Sequence, residues 1–430
     1  MKRITTSIFL IIFINLLSAQ QFQNSDNDII LENADNLVGS NLTDASFREF
    51  MGNVVFSHKN IRAKCDFAKQ FLTENRADMR GNVIITQSTM TLKSPKIAYY
   101  GNTGIAYADD SVSILDRGTF LRAEQGIYDS RSLVADFYGN VFIDDDSARI
   151  YANHIIYERK SRNSFAYGDV RIFGKQTNVV LTADTVFSIT EENYSKAVSN
   201  PILFQIDTVV TYHDTSVKKL PEIRFDTLTI SSDTMQAYRT PGNEFYQFTG
   251  KVEIVRGGVA AKSSEAVYFK NAELFILRNM PVVWYDNTQL YADSIVIFMK
   301  NNELKEIRAF NNANAVSQND TSDNSRKNQI SGNDILIKID SSKISRIESY
   351  KDAKSLYYFT DEKGSNGVDR KSTDTIKVVF ESGEVNKIYW LGMTVSEFFP
   401  ENLVFNEPSA YNLPAYKWNN DKPKKKSIKK

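Results

Sequence analysis

The sequence predicts an all-β array of stacked hairpin repeats. Three observations carry this: a landmark that recurs every 29 residues, a hydrophobic period of two inside each copy, and turn-forming clusters between copies. The landmark reads Gly52-Asn53-Val54, Gly81-Asn82-Val83, Asp110-Ser111-Val112, Gly139-Asn140-Val141 and Gly168-Asp169-Val170. A second keeps step with it as Ile61-x-Ala63, Leu92-x-Ser94, Leu121-x-Ala123, Ile150-x-Ala152 and Leu181-x-Ala183, often followed by an acidic residue.

Taken in chain order, the first 19 residues have the form of a cleaved secretory signal. Lys2 and Arg3 precede an apolar run over 8–17, and Ser18 and Ala19 stand before Gln20. The apolar run is too short to cross a bilayer, which needs about twenty residues. Helical period is otherwise expected only in a short turn over 45–50. A first repeat domain is expected over 45–190. From Leu133 the odd positions Leu133, Ala135, Phe137, Gly139, Val141 and Ile143 are apolar or small, and Asp136, Asn140 and Asp144 fall on the other side. That is strand period with one dry face. An irregular connector is expected over 191–231. A second repeat domain over 232–395 follows, with looser landmarks at Gly250-Lys251-Val252, Pro281-Val282-Val283 and Ala313-Asn314-Ala315. Polar clusters such as Asp129-Ser130-Arg131-Ser132, Lys300-Asn301-Asn302-Glu303 and Asp340-Ser341-Ser342-Lys343 separate strand pairs. The recurrent glycine selects a bulge or bend, and the same bend in every hairpin would curve the sheet into a trough; the simpler reading is a tight turn before each strand. Residues 396–430 form a tail whose Lys-rich last part is expected to be disordered.

The charge balance excludes whole classes of function. Lysine plus arginine equals aspartate plus glutamate at 52 each, so no basic excess is available to neutralise phosphates, and nucleic acid is not the expected partner. A single cysteine, Cys65, rules out a disulfide framework or a thiolate zinc site. His58, His154 and His213 are scattered, and Asp144-Asp145-Asp146 lacks a calcium-loop spacing, so it reads as a solvated turn. No serine-nucleophile or zinc-protease motif and no Gly-rich phosphate loop is present, so neither catalysis, a metal, a nucleotide nor another cofactor is expected.

The combination of a leader, Gly-Asn-Val landmarks, the hydrophobic-x-Ala-acid echo and strand-only patterning resembles the OstA-like (organic-solvent-tolerance) domain family. That family includes the LptA-like periplasmic bridge of lipopolysaccharide transport and the periplasmic domain of its outer-membrane translocon. The resemblance covers residues 45–190 and, more loosely, 226–395. Asp226-Thr227-Leu228-Thr229-Ile230 and the closing Leu413-Pro414-Ala415-Tyr416-Lys417-Trp418 look like the long Bacteroidetes-type version. The resemblance implies a β-jellyroll or β-taco of V-shaped antiparallel hairpins around an apolar groove that takes lipid A acyl chains. It also implies a periplasmic non-enzyme that pairs head-to-tail with itself, or with other jellyrolls and the translocon at the outer membrane.

The candidate lining is Val54, Phe56, Val83, Ile85, Val112, Ile114, Val141, Ile143, Val170, Ile172, Val252 and Ile254, with Ala123, Ala152 and Ala183 from the facing strands. The same pattern would also serve a closed core. The first strand around 52–57 and the last around 377–391 are the candidate edges for strand addition. A secreted β-solenoid adhesin or carbohydrate-active protein is the alternative reading. An outer-membrane barrel is disfavoured because the chain ends in lysines.

Overall fold

The strand that carries the landmark is broken there by two consecutive left-handed residues, and its hairpin partner is not. In Arg76–Gln87 these are Gly81 (φ 73°) and Asn82 (φ 46°), and the pairing register skips from Arg80 to Val83 against Met90–Tyr100 and from Arg80 to Ile84 against Ile61–Phe71. Two residues opposing one is a bulge, and it bends the strand. Asp110 and Ser111, at 63° and 66°, adopt the same conformation in the copy that lacks glycine. The computed structural model describes residues 27–428 apart from 43–44, 216–217, 302, 319–324, 362–363 and 382. The expected leader, 1–19, lies outside the described residues.

Repeated at every copy, the bend folds one long sheet into two facing walls that meet along a vertex. Arg76–Gln87 lies in the second wall before Gly81 and in the first wall after Asn82. The neighbouring Ile61–Phe71 runs back the other way. Among the described residues thirty strands form a single sheet. Every pairing is antiparallel, as in the hairpins Ala45–His58 with Ile61–Phe71 and Val134–Asp144 with Ala148–Glu158. A parallel solenoid is thereby excluded. The all-β jellyroll or taco architecture is the one the sequence predicts.

Alternation does the packing. Ile61, Ala63 and Cys65 are buried while Arg62, Lys64 and Asp66 are exposed, so one face of each wall is dry and the other wet. The dry faces of both walls belong to one hydrophobic core that runs from Ile29 to Val378.

Three expectations require correction. Residues 45–50 are the start of the strand Ala45–His58 rather than a helical turn, because Phe50, fully buried, continues the inward face. Residues 191–231 are strands rather than an irregular connector. Tyr194–Val198 joins Val179–Ile189 to Thr234–Thr240, and Ile202–Thr215 pairs with Lys218–Ser231. The extra length went into the arms of one hairpin, so the sheet continues from the first expected domain into the second. The tail is ordered over its described part: after Val395–Pro400 and a single helical turn, Glu401–Val404, it runs back across the outside of the first wall.

That strap is held by buried amides. Gln329 contacts Asn412 and accepts from Leu413 N, Asn314 donates to Ala415 O, and Gln289 both donates to Asn419 O and accepts from Asn419 N, each at 2.9 Å. Lys262 pairs with Asp421, and Lys426 with Glu253.

The sheet has two open ends among the described residues. Ile30–Asn33 and Asn36–Leu42 pair with Ala45–His58 at one end, and Glu384–Leu391 and Val395–Pro400 pair with Gly364–Glu381 at the other. The first edge is therefore 30–42 rather than 52–57, which is an internal segment.

Candidate functional site

The fifteen candidate lining residues all face the interior. Val54, Phe56, Val83, Ile85, Val112, Ile114, Val141, Ile143, Val170, Val252 and Ile254 are at most 5% exposed, Ala123, Ala152 and Ala183 are buried beside them, and Ile172 is half-buried. Ala123, Ala152 and Ala183 do not lie on the opposite wall. They sit directly across the hairpin from Val112, Val141 and Val170 in the same wall, next to the vertex.

The opposite wall is lined by residues the sequence reading did not select. Phe50, Met79, Ala108, Phe137 and Ala166 are buried, and each stands two positions before its landmark, again 29 residues apart. The signal was in the period-two run Leu133, Ala135, Phe137, where the inward face continues through the glycine into the other wall. In the second half Val283, the third letter of its landmark, faces the core as Val54 does. The left-handed pair there is Asn279-Met280, two residues before the landmark's first two letters, and Val282 falls on the outer face.

The vertex has its own chemistry. At four bends the second left-handed residue is an asparagine that donates to an acid beside it: Asn53 to Asp35 (2.9 Å), Asn82 to Asp66 (2.8 Å), Asn140 to Glu124 and Asn312 to Asp293 (3.0 Å). This explains why the second landmark ends in an acid, which the sequence showed without giving a reason.

The interior of the N-terminal third is filled by its own side chains. A cavity of about 10 Å³ is bounded by Ile114, Leu121, Phe137, Ile143 and Tyr157 beneath the Asp116–Arg159 pair, and another of the same size by Phe56, Ala63, Met79 and Ile85 beside His58 and Tyr99. Each is only about the size of one water. Above them lie buried polar groups. Arg159 donates to Asp116 (2.9 Å) and to Tyr128 Oη (2.7 Å), and Thr89 donates to Asp116. Burial alone would raise the Asp116 carboxyl, but the hydrogen bonds from Arg159 and Thr89 outweigh it and hold the group below the ordinary carboxylate range. Burial, with Lys59 nearby, lowers the His58 imidazole.

The remaining candidates have structural roles. Asp145 caps its own turn, accepting from Ser147 N and Ala148 N, and Asp144 pairs with Arg149 and Lys175. His154 lies 2.6 Å from Asp136 and stacks on Tyr138, on the outer face. The side chain of His213 lies outside the described residues. Cys65 is buried, and burial pushes its thiol up to about 12.

An antiparallel, two-walled sheet around a continuous apolar interior defines a domain built to hold hydrocarbon or to fill itself. Residues 26–179 match the family described as OstA-like protein. Residues 122–303 match the family described as LptA/(LptD N-terminal domain) LPS transport protein. Residues 26–303 thus belong to the OstA-like lipopolysaccharide-transport domains, and the same fold continues past them to Pro400. Comparison with curated proteins gives no match.

Proposed function

We propose that the chain is a periplasmic, non-enzymatic carrier or bridge for lipopolysaccharide on its way to the outer membrane, with lipid A acyl chains held between the two walls. The single observation that carries this is the apolar interior that runs without a break from Ile29 to Val378 inside a chain with two lipopolysaccharide-transport domain matches. An acyl chain exposed to water costs about 0.8 kcal/mol per methylene, on the order of 10 kcal/mol for a dozen carbons. A carrier must cover that surface at every step. Similar Val, Ile and Ala side chains repeated at each copy offer nearly equal burial along the axis, so a chain slides without first leaving. Direction must come from elsewhere, since the chain has no nucleotide motif.

The open sheet ends support pairing with a second copy or with a jellyroll of the transport machinery. Tyr389, Leu391, Val395 and Phe398 are exposed on the last two strands, where strand addition would cover them. In cells, a photo-crosslinking residue at Val170 or Ile172 is expected to capture glycolipid, and one at the outward Asp169 or Arg171 is not. Equal capture on both faces, or none at the inward pair in a normally expressed protein, overturns the proposal.

A further inference from the structure

The two walls are fastened together unevenly along their rims. On the first wall the last inward positions are His58, Gln87 and Asp116, spaced by 29 residues, and on the second they include Tyr99 and Tyr128. His58 Nδ1 lies 2.6 Å from Tyr99 Oη. Tyr128 Oη donates to Gln87 Oε1 (2.6 Å), and Gln87 Nε2 donates to Ser130 O (3.1 Å). Arg159, on the second wall, closes the series on Asp116 and Tyr128. All five side chains and Arg159 are buried, which gives the N-terminal third a polar bolt across its mouth.

The series then stops. The next first-wall position, Asp145, bonds within its own turn, and the next is Gly174. Beyond Arg159, as far as Val259–Phe269, no described inward residue makes a hydrogen bond or ion pair across the mouth. Bridging resumes only where Tyr285 Oη donates to Ser342 O (2.7 Å). Burial follows the same division over 150–203, and further on Ile230 and Ile254 are again at most 5% exposed. Behind the bolt Ile85, Leu92, Ile114 and Leu121 are at most 5% exposed, whereas Ile150, Ile172, Leu181, Leu203, Tyr246 and Tyr268 are only half-buried. Arg256, paired with Asp207 (2.8 Å) and Asp226 (2.7 Å), stays on the first wall's rim and does not close the gap.

We infer that acyl chains enter and leave sideways, through an unbridged window between Ala148–Glu158 and Val259–Phe269, and that the Asp116–Arg159 and Gln87–Tyr128 contacts bolt the N-terminal third shut. The inference rests on the carrier reading and assigns it a point of access. A chain lying in the window covers apolar surface that is still wet and breaks no polar contact. A chain pushed behind the bolt must separate a buried ion pair and its hydrogen bonds in a low-dielectric interior, where the freed groups find no water. The window therefore fills first.

The test uses the purified full chain, lipopolysaccharide micelles as probe, and a photo-crosslinking residue placed singly at Ile172, Leu181, Ile85 or Ile114. Capture at Ile172 and Leu181 is expected to exceed that at Ile85 and Ile114 by about tenfold. The paired substitution Asp116→Asn with Arg159→Met removes the ion pair without leaving a lone charge, and should raise capture at Ile85 toward the window level with Ile172 unchanged. Gln87→Leu loosens the same bolt by another route and should shift the ratio in the same direction, which covers the case in which the paired variant does not fold. Equal capture at all four positions in the wild type, or a ratio that neither change moves, overturns the window while leaving the carrier reading intact. No capture at any position overturns the carrier reading itself.

Discussion

Asn82 Nδ2 donates to Asp66 Oδ2 across 2.8 Å, tying the left-handed residue of one bulge to the acid on the adjacent strand. The glycine beside it is what lets that acid approach. A β-carbon on Gly81 would lie 2.6 Å from Asp66 Oδ2, and the Gly81 φ of 73° is itself unfavourable for a residue with a side chain. Gly81→Ala is expected to destabilise the protein by about 1–3 kcal/mol. Gly118→Ala, where φ is 86° but no atom lies within 4 Å of the added carbon, should lose only the backbone part. Adding Asp66→Ala to Gly81→Ala should recover the steric part, read as a rise in thermal midpoint over the single variant. A double variant no more stable than Gly81→Ala would remove the contact as the cause.

The vertex also marks how much the sequence disclosed. Where bulge, acid and inward valine carried recurrent letters, as from Gly52 to Val170, the repeat, the strand period and the inward face were all legible. Where the same backbone is made by Ser199-Asn200 or Lys351-Asp352, both left-handed, the letters change and the copy was missed. Lengthening the Ile202–Thr215 and Lys218–Ser231 arms moved the next landmark out of step, which made strands read as a connector. The lining of the first wall was found and that of the second was not, because a landmark names the residues after the bend more readily than those before it. The bolt was not legible either. His58, Gln87 and Asp116 share a spacing but no chemistry, and their partners, 41 to 43 residues away, meet them only once the sheet has folded on itself.

Cys65 should be inert in the folded protein. It is 5% exposed, lies across from Val54 on the inward face, and has its thiol pushed up to about 12, so almost no thiolate exists near neutrality. A thiol reagent at pH 8 is expected to modify it only as fast as the first repeats open, with full reaction in denaturant. Rapid stoichiometric labelling of the native protein would contradict its position. Cys65→Ser, which puts a hydroxyl among apolar groups, should cost about 1–3 kcal/mol.

Acid should weaken the bolt through Asp116. Its folded carboxyl titrates below the ordinary value, so its contribution is fully present above the unfolded value of about 3.9 and is lost as pH falls from there through the lower folded value. Stability followed by denaturant midpoint should fall across that acidic window. The paired variant Asp116→Asn with Arg159→Met should lose less there. Asp116→Ala alone leaves Arg159, 6% exposed, without its carboxylate, at a cost of about 3–5 kcal/mol near neutral pH. Equal acid sensitivity in wild type and the paired variant would assign the fall to other carboxylates.

The strap should be held more by its backbone than by its side chains. Gln289, 3% exposed, grips Asn419 through both its amide atoms, in the way one peptide group pairs with another, and Gln329 and Asn314 hold 412–415 by the same chemistry two strands further on. Beside Gln289, Trp284 with Val282 and Ala260 forms a separate apolar cluster on the outer face of the first wall, and Trp284 is 3% exposed although it points away from the main core. Gln289→Leu removes two hydrogen bonds worth about 0.5–1.5 kcal/mol each. It is expected to speed amide exchange at Asn419 by roughly five- to thirtyfold, while the amide of Ile297 in the strand Ser294–Lys300 keeps its rate. Deleting 412–430 in a Trp390→Phe background should go further and bare the cluster, shifting the emission of Trp284 to the red relative to a full chain in which Trp390→Phe and Trp418→Phe leave it the one tryptophan. Unchanged exchange at Asn419 would mean that the amide grip contributes nothing, and an unshifted Trp284 would mean that the strap is not what covers it.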